Sequence, residues 1–207
     1  MGSLSPAPEA QRKGVVVVGA TPLARELSRR LTELGETVAL VDSHAGRCAA
    51  ASDDGLTCVL GDGSREVVLF EANAQTARWV LAATGNELVD ARIGRIARSA
   101  FRVPDVAAWR AAGGASAVSI TPELADHAAL EAWEDRAARR EVRWLEEVVR
   151  PGEDAAAVRA RVHATNGALP LLVARAGELR PLHAGSEVRP GDVIHALAPA
   201  REERAAA

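Results

Sequence analysis

Asp42 is the residue of this chain whose type and position best suit binding chemistry. It ends an apolar run, Thr37-Val-Ala-Leu-Val-Asp42, about 20 residues beyond a glycine-led turn, Gly19-Ala20-Thr21. A carboxylate there can accept hydrogen bonds from a ribose hydroxyl, which favours a nucleotide lacking a 2′-phosphate. Its plainer role is that of a strand-end residue capping the turn Ser43-His44-Ala45-Gly46. The glycine turn is the other half of such a site, and it is altered. A G-x-G-x-x-G loop uses its first Gly for the tight turn, its second to let a pyrophosphate approach the backbone, and its third for helix packing. Gly19, Thr21 and Ala24 occupy those places. Ala24 is an accepted variant. Thr21 adds a side chain where phosphates would lie, and Pro22 removes an amide that could bond them.

Other chemistry is thin. The five histidines, His44, His127, His163, His183 and His195, form no recognisable pair with a carboxylate or a tyrosine, and tyrosine is absent. A hydride-transfer enzyme needs a general acid or base near its cofactor, so no catalytic role is expected. Cys48 and Cys58 fall in or beside buried elements and read as reduced core thiols, with neither a disulfide nor a metal site expected. Reduced thiols fit a cytoplasmic setting.

The elements that must position Asp42 follow from pattern. Val15 to Val18, four β-branched residues between glycines, predict a strand buried on both faces, as in a parallel sheet. Thr21 as N-cap, Pro22 at the first helical position and Leu23, Leu27, Leu31 and Leu34 at helical spacing predict a helix stopped by Gly35. With the strand ending in Asp42, this is a mononucleotide-binding βαβ unit. The alternation continues with a short helix over 47–52, a strand over 56–60, and a helix over 65–72 capped by Ser64. A strand over 78–83 precedes a helix through Ala100, opened by Thr84-Gly85-Asn86, with Leu88, Ile93, Ile96 and Ala97 on its apolar side. Gly61, Asp62, Thr84, Gly85 and Asn86 follow strand ends, where open α/β sheets bind ligands, although each alone serves as a turn or cap residue. Strands over 104–109 and 117–120 follow, joined by Arg110 to Ser116, a connection short for a crossover helix. A helix from Pro122, capped by Thr121, runs to about Arg139 with Leu124, Ala128, Leu130 and Trp133 as its apolar residues.

Beyond it the texture changes to a strand over 142–149, a turn, a helix over 155–163, a hairpin around Ala176-Gly177 and a closing strand within 189–197. The expected architecture is therefore α/β, a Rossmann-like doubly wound parallel sheet with a second, smaller α+β domain. Its expected divisions are a flexible tail over 1–13, a nucleotide-binding domain over 14–135, the small domain over 141–198 and a charged tail over 199–207. A net charge of −3 with scattered arginines argues against nucleic-acid binding, and no apolar run approaches the length of a membrane span. The opening residues lack the apolar core of a signal peptide.

The order of Val15–Val18, Gly-x-x-Pro-Leu-Ala, Val41-Asp42, Gly61-Asp62-Gly63-Ser64, Ala83-Thr84-Gly85-Asn86, Gly177-Glu178-Leu179 and Arg189-Pro-Gly-Asp-Val-Ile194 resembles the RCK family. These are the cytoplasmic domains regulating conductance of potassium, with a nucleotide-binding N-lobe and a smaller C-lobe. Leu40-Val-Asp-Ser43 and Leu81-Ala-Ala-Thr-Gly-Asn86 look most like the soluble tails of bacterial cation/proton antiporters. The resemblance implies a phosphate loop at Gly19, Ala20 and Thr21, a ribose acid at Asp42 followed by Ser43, an adenine-side turn at Gly61 and Asp62, and a further turn at Thr84 to Asn86. It implies an adenine nucleotide (ATP, ADP or AMP) or NAD(H) as ligand, no metal, self-association as a homodimer, and a membrane-embedded Na+ or K+ transporter as partner. The cytoplasmic chain would then sit at the membrane through that transporter. A C-lobe effector could involve Arg180, His183 or Arg189, which read equally as a solvated hairpin face. Three functions follow: a nucleotide-sensing module gating transport, a dimerising scaffold with a vestigial nucleotide site, or an NAD-dependent oxidoreductase, the weakest of the three. A separate subunit and the tail of a longer membrane protein both fit the sequence, the abrupt start leaning to the latter.

Overall fold

A computed structural model describes residues 12–109, 118–119, 127–183 and 185–200. The chain divides into two compact units, one ending at Ser119 and the other beginning at Ile120.

In the first unit β1 (Val15–Val18), β2 (Val38–Asp42), β3 (Cys58–Leu60), β4 (Trp79–Ala82), β5 (Asp105–Ala108) and β6 (Val118–Ser119) form one parallel sheet in the order β3-β2-β1-β4-β5-β6. The helices are α1 (Pro22–Glu33), α2 (Ala45–Asp53), α3 (Glu66–Glu71) and α4 (Glu87–Ser99). All four β1 valines are buried, as expected of a central strand covered on both sides. Val16 and Val18 pack with Val41, Leu69, Val80, Ile93 and Phe101 in one apolar cluster. Val15 and Val17 point to the opposite face by strand alternation. The α1 helix starts as its sequence predicts, with Thr21 Oγ1 accepting from the Ala24 amide at 3.3 Å and Pro22 in the first turn. It buries Leu23, Leu27 and Leu31. Chain order reverses direction between β1 and β4, which makes that edge the topological switch point of a doubly wound sheet.

The second unit holds α5 (His127–Ala138), β7 (Val142–Val148), α6 (Ala155–Asn166), β8 (Leu169–Arg175), β9 (Glu178–Pro181) and β10 (Val193–Pro199). Its strands form an antiparallel sheet in the order β7-β10-β8-β9. Ala176 and Gly177 connect β8 to β9 with φ of 51° and 83°. Positive φ at both central residues matches the twist of a two-residue hairpin. The core is Val149, Val158, Val162, Val173, Leu182, Ile194 and Ala196. Asp154 caps α6 through the Ala157 amide, and Gly167 ends it in the left-handed region at φ 58°.

Five sequence expectations need correction. Cys48 and Cys58 are joined in a disulfide, because α2 and β3 run side by side and bring their Cα atoms to 5.4 Å, within disulfide range. Leu88 is 84% exposed and does not join the apolar side of α4. It sits in the first turn beyond the sheet edge, and Ile93 and Ala97 carry the burial instead. Arg65, not Ser64, precedes α3, and the Ser64 amide donates to Asp62 Oδ1. Arg12, assigned to a leading tail, is buried and donates to the carbonyls of Ala77 and Phe101 at 3.1 and 2.8 Å. His195 does meet a carboxylate, with Nδ1 3.4 Å from Glu146 Oε1 across the β10–β7 pairing. The expected Arg110 to Ser116 connection, the Thr121 cap, Pro122, Leu124 and the tail beyond Ala200 lie outside the described residues.

Candidate functional site

The C-terminal edge of the parallel sheet gathers the residues singled out by the sequence. Gly19 to Thr21 follow β1, Ser43 follows β2, Gly61 and Asp62 follow β3, and Thr84 to Asn86 follow β4. Gly19 has φ 110°, and a Cβ there would collide with the Ala83 carbonyl oxygen, so the β1–α1 loop lies against the end of β4. Only glycine permits that approach. Gly63 is crowded by a side chain instead, since a Cβ on it would collide with Val18 Cγ1.

Asp42 is 5% exposed, and its carboxylate joins two loops. Its Oδ2 accepts from the Ala20 amide at 2.8 Å and its Oδ1 from the His44 amide at 2.8 Å. Arg47, in the first turn of α2, brings Nη1 to 3.6 Å from Oδ2 while its side chain stays half exposed. The Asp42 carbonyl accepts from the Gly61 amide at 2.9 Å. A single residue thus ties the β1–α1, β2–α2 and β3–α3 loops together. Ser43 is exposed at the turn between these bonds.

The amides of the β1–α1 loop are largely committed. Gly19 donates to Val41 O at 2.7 Å, Ala20 to Asp42, Ala24 to Thr21 Oγ1 and Arg25 to Thr21 O. Pro22 has none. Arg25 bridges the loop and the end of α2, its Nη1 donating to the Ala20 carbonyl at 3.0 Å and its Nε pairing with Asp54 at 2.9 Å. These commitments leave the loop few free amides to offer an anion.

The β4–α4 turn is held from within. Thr84 Oγ1 donates to Asp90 Oδ1 at 2.6 Å, and the Thr84 amide points to the same oxygen at 3.2 Å. Asn86 Oδ1 caps α4 through the Leu88 and Val89 amides at 3.1 and 3.2 Å. Gly85, at φ 77°, faces open space. Asp62 is exposed and held below the usual carboxylate range by its hydrogen bonds to the Ser64 side chain and amide, with Arg92 and Arg65 adding charge.

Asp90, Arg47, Gly63 and Trp109 were missed by sequence reasoning. Asp90 is 1% exposed and stands in the first turn of α4, where an acid also suits the helix dipole; that placement was the available signal. Gly63 stood in the Gly61-Asp62-Gly63-Ser64 motif without a role of its own, and Arg47 gave no signal, because both roles come from loops meeting in space. Trp109 is buried just past β5 with an indole N–H that has no acceptor among the described residues. In the second unit, Arg180 and Arg189 are exposed and pair with Glu178 at 3.3 Å and Glu187 at 2.7 Å, and His183 Nδ1 accepts from the Gly185 amide at 3.1 Å. These three are engaged in local pairings.

Among the described residues no helix is long and apolar enough to cross a membrane. No curated protein matches the chain. Solved structures with a similar course include the TrkA-N domain of inner membrane protein ybaL from Escherichia coli, at 18% identity over 47% of this chain and 72% of that one, TM-score 0.44. The GsuK channel bound to NAD aligns over 94% of this chain and 38% of its own, at 13% identity and TM-score 0.43. The Kef CTD of Shewanella denitrificans in its AMP-bound form aligns over 48% and 59%, at 20% identity and TM-score 0.42. The TrkA-N domain family matches residues 15–119, just over half of the chain and the whole course from β1 to β6. The chain belongs to the TrkA-N domain family, the N-lobe of RCK proteins.

Proposed function

We propose that this chain is a regulatory module of a monovalent cation (Na+ or K+) transport system, either a cation/proton antiporter or a potassium transporter. In this reading it binds an adenine nucleotide or NAD(H) at the C-terminal sheet edge of its TrkA-N unit and gates transport. The observation that carries the reading is the Asp42 carboxylate, an acid at the end of the strand beside the switch point of a TrkA-N sheet. Each carboxylate oxygen has more than one lone-pair direction, so bonds to the Ala20 and His44 amides leave acceptor capacity for ribose hydroxyls. The proposed lobes are residues 14–135 and 141–198. The proposed assembly is a homodimer at the cytoplasmic face of a membrane transporter. A nucleotide acts on such an assembly only through its difference in affinity for two arrangements, and a near-complete switch needs about 5.5 kcal/mol of it.

A second reading, a dimerising scaffold with a vestigial site, is favoured by one observation, the committed amides of Gly19, Ala20 and Ala24 beside Pro22. The experiment that separates the two is thermal stability of the purified chain against ATP, ADP, AMP, NAD and NADH. Ligand at 100 times its dissociation constant adds about 2.7 kcal/mol of stability. A raised melting temperature with one of them supports the sensor; no shift with any supports the scaffold.

A further inference from the structure

The disulfide lies beside the loop junction at Asp42 and anchors a weakly held helix. Cys48 and Ala51 are the buried residues of α2, and the His44 N-cap makes no side-chain cap bond. Beyond those contacts α2 is tied at its far end, by the Arg25–Asp54 ion pair and the Leu56 amide bonded to Ala51 O. Its leading end carries what matters to the site. The His44 amide holds Asp42 Oδ1, Arg47 approaches Oδ2, and Cys48 Sγ lies 3.7 Å from the Asp42 carbonyl oxygen. The cross-link to Cys58 on β3 is therefore the covalent tie nearest to the Asp42 junction.

We propose that Cys48 and Cys58 form a thiol–disulfide exchange site whose reduction loosens the hydrogen bonds made to Asp42. Cys58 is partly exposed and Cys48 is 8% exposed, so an incoming low-molecular-weight thiol reaches Cys58 first. Its thiolate bonds to Cys58 Sγ, the Sγ–Sγ bond breaks, and the electron pair leaves on Cys48 Sγ. That sulfur takes up a proton and can donate it to the Asp42 carbonyl oxygen. A second thiol then attacks the small-molecule sulfur of the mixed disulfide, and Cys58 leaves as a thiolate that is protonated in turn. In sum, two small thiols become one small disulfide and the protein gains two thiols. The leading turn of α2 is then held without a covalent tie, by the burial of Cys48 and the non-covalent contacts to Asp42 alone, and the Ala20–Asp42–His44 junction opens more often. Any consequence for nucleotide affinity rests on the function proposed above.

The test is amide hydrogen exchange on the full chain, oxidised and then reduced with dithiothreitol, with free thiols counted in each state. The expected result is faster exchange on reduction at Ala20, His44 and the Ala45–Asp53 helix, with Val15–Val18 unchanged as an internal standard. Unchanged exchange at Ala20 and His44 after two thiols have appeared overturns the proposal. So does a thiol count of two before reductant is added. A Cys48→Ser/Cys58→Ser variant should match the reduced chain and ignore reductant. Titration with AMP and with NAD in both states forms a second arm, in which reduction should weaken binding about threefold if the competent arrangement falls to a third of the population. Equal affinity in the two states, with exchange altered, also overturns the coupling. If neither ligand binds in either state, the nucleotide-sensing function fails, while the exchange arm still decides the redox proposal.

Discussion

Replacing Asp42 by Asn tests the central geometry, because the substitution preserves shape and removes half of the acceptor capacity. The carboxylate accepts two amides, Ala20 N on Oδ2 and His44 N on Oδ1, both at 2.8 Å, from a position 5% exposed. In the variant the Asn oxygen can retain one of them, and the other amide faces the Asn NH2. The retained bond loses its charge assistance, worth roughly 1 kcal/mol from the difference between charged and neutral hydrogen bonds. The orphaned amide costs about 1–3 kcal/mol. Arg47, half exposed at 3.6 Å, adds at most a few tenths at such exposure. The sum is roughly 2–4 kcal/mol of the first unit's stability, a fall in melting temperature on the order of 10–20 °C for a unit of this size. Urea unfolding of both proteins, with exchange at Val15–Val18 assigning the transition to this unit, measures it. A loss under about 0.5 kcal/mol, the scale of an ordinary surface substitution, would refute the junction. The same experiment guards the ligand assignment. A drop in nucleotide affinity in an Asp42 variant counts as a ribose contact only at a temperature where the variant is shown to be folded.

Gly19→Ala should destabilise the first unit by more than about 3 kcal/mol, since it combines φ of 110° with a collision against Ala83 O; a folded, equally stable variant would show that the β1–α1 loop does not press on β4. Leu88→Gln should change stability by less than about 0.5 kcal/mol, whereas Ile93→Ala in the same helix should cost about 2–5 kcal/mol; equal costs would restore Leu88 to the core. In the second unit, Asp192 is buried, accepts from Arg175 Nη2 and the Arg189 amide at 2.8 Å each, and is held below its ordinary value by Arg175 first and the Arg189 amide next. A depressed carboxylate binds fewer protons folded than unfolded, so its contribution is present above about pH 4 and is lost as pH falls below that value. Acid titration of the second unit should show that loss, and Asp192→Asn should remove this component; an unchanged profile would sink the assignment.

The parallel sheet was legible because its signals are local. Val15–Val18 between glycines, Thr21-Pro22 before a leucine repeat, and a carboxylate closing the next strand each declare their element without reference to anything distant. What failed were the features made by two elements meeting. The disulfide depends on α2 lying along β3, the His195–Glu146 contact on the β10–β7 register, and the exposure of Leu88 on α4 beginning beyond the sheet. None of these has a period or a spacing in the sequence. Arg12 failed for the same reason, its two acceptors lying 65 and 89 residues away.

The altered glycine loop has a second obstacle to phosphates that its sequence does not display. The sequence places the obstacle to phosphate binding in the Thr21 side chain and the missing Pro22 amide. In the structure the Thr21 hydroxyl is used as the cap of α1, accepting the Ala24 amide, so its oxygen serves the helix. The larger obstacle is that the two amides before it have partners already, Gly19 in Val41 and Ala20 in Asp42. Asp42 is therefore both the best reason to expect a ribose and part of the reason the phosphate loop is short of donors. A nucleotide with fewer phosphates asks less of that loop, and on these contacts AMP should be favoured over ATP if the site binds. Competition between the two at equal concentration is the measurement. Preference for ATP would mean that Ala20 leaves Asp42 when ligand arrives, and would turn this junction from a fixed clamp into the moving part of the sensor.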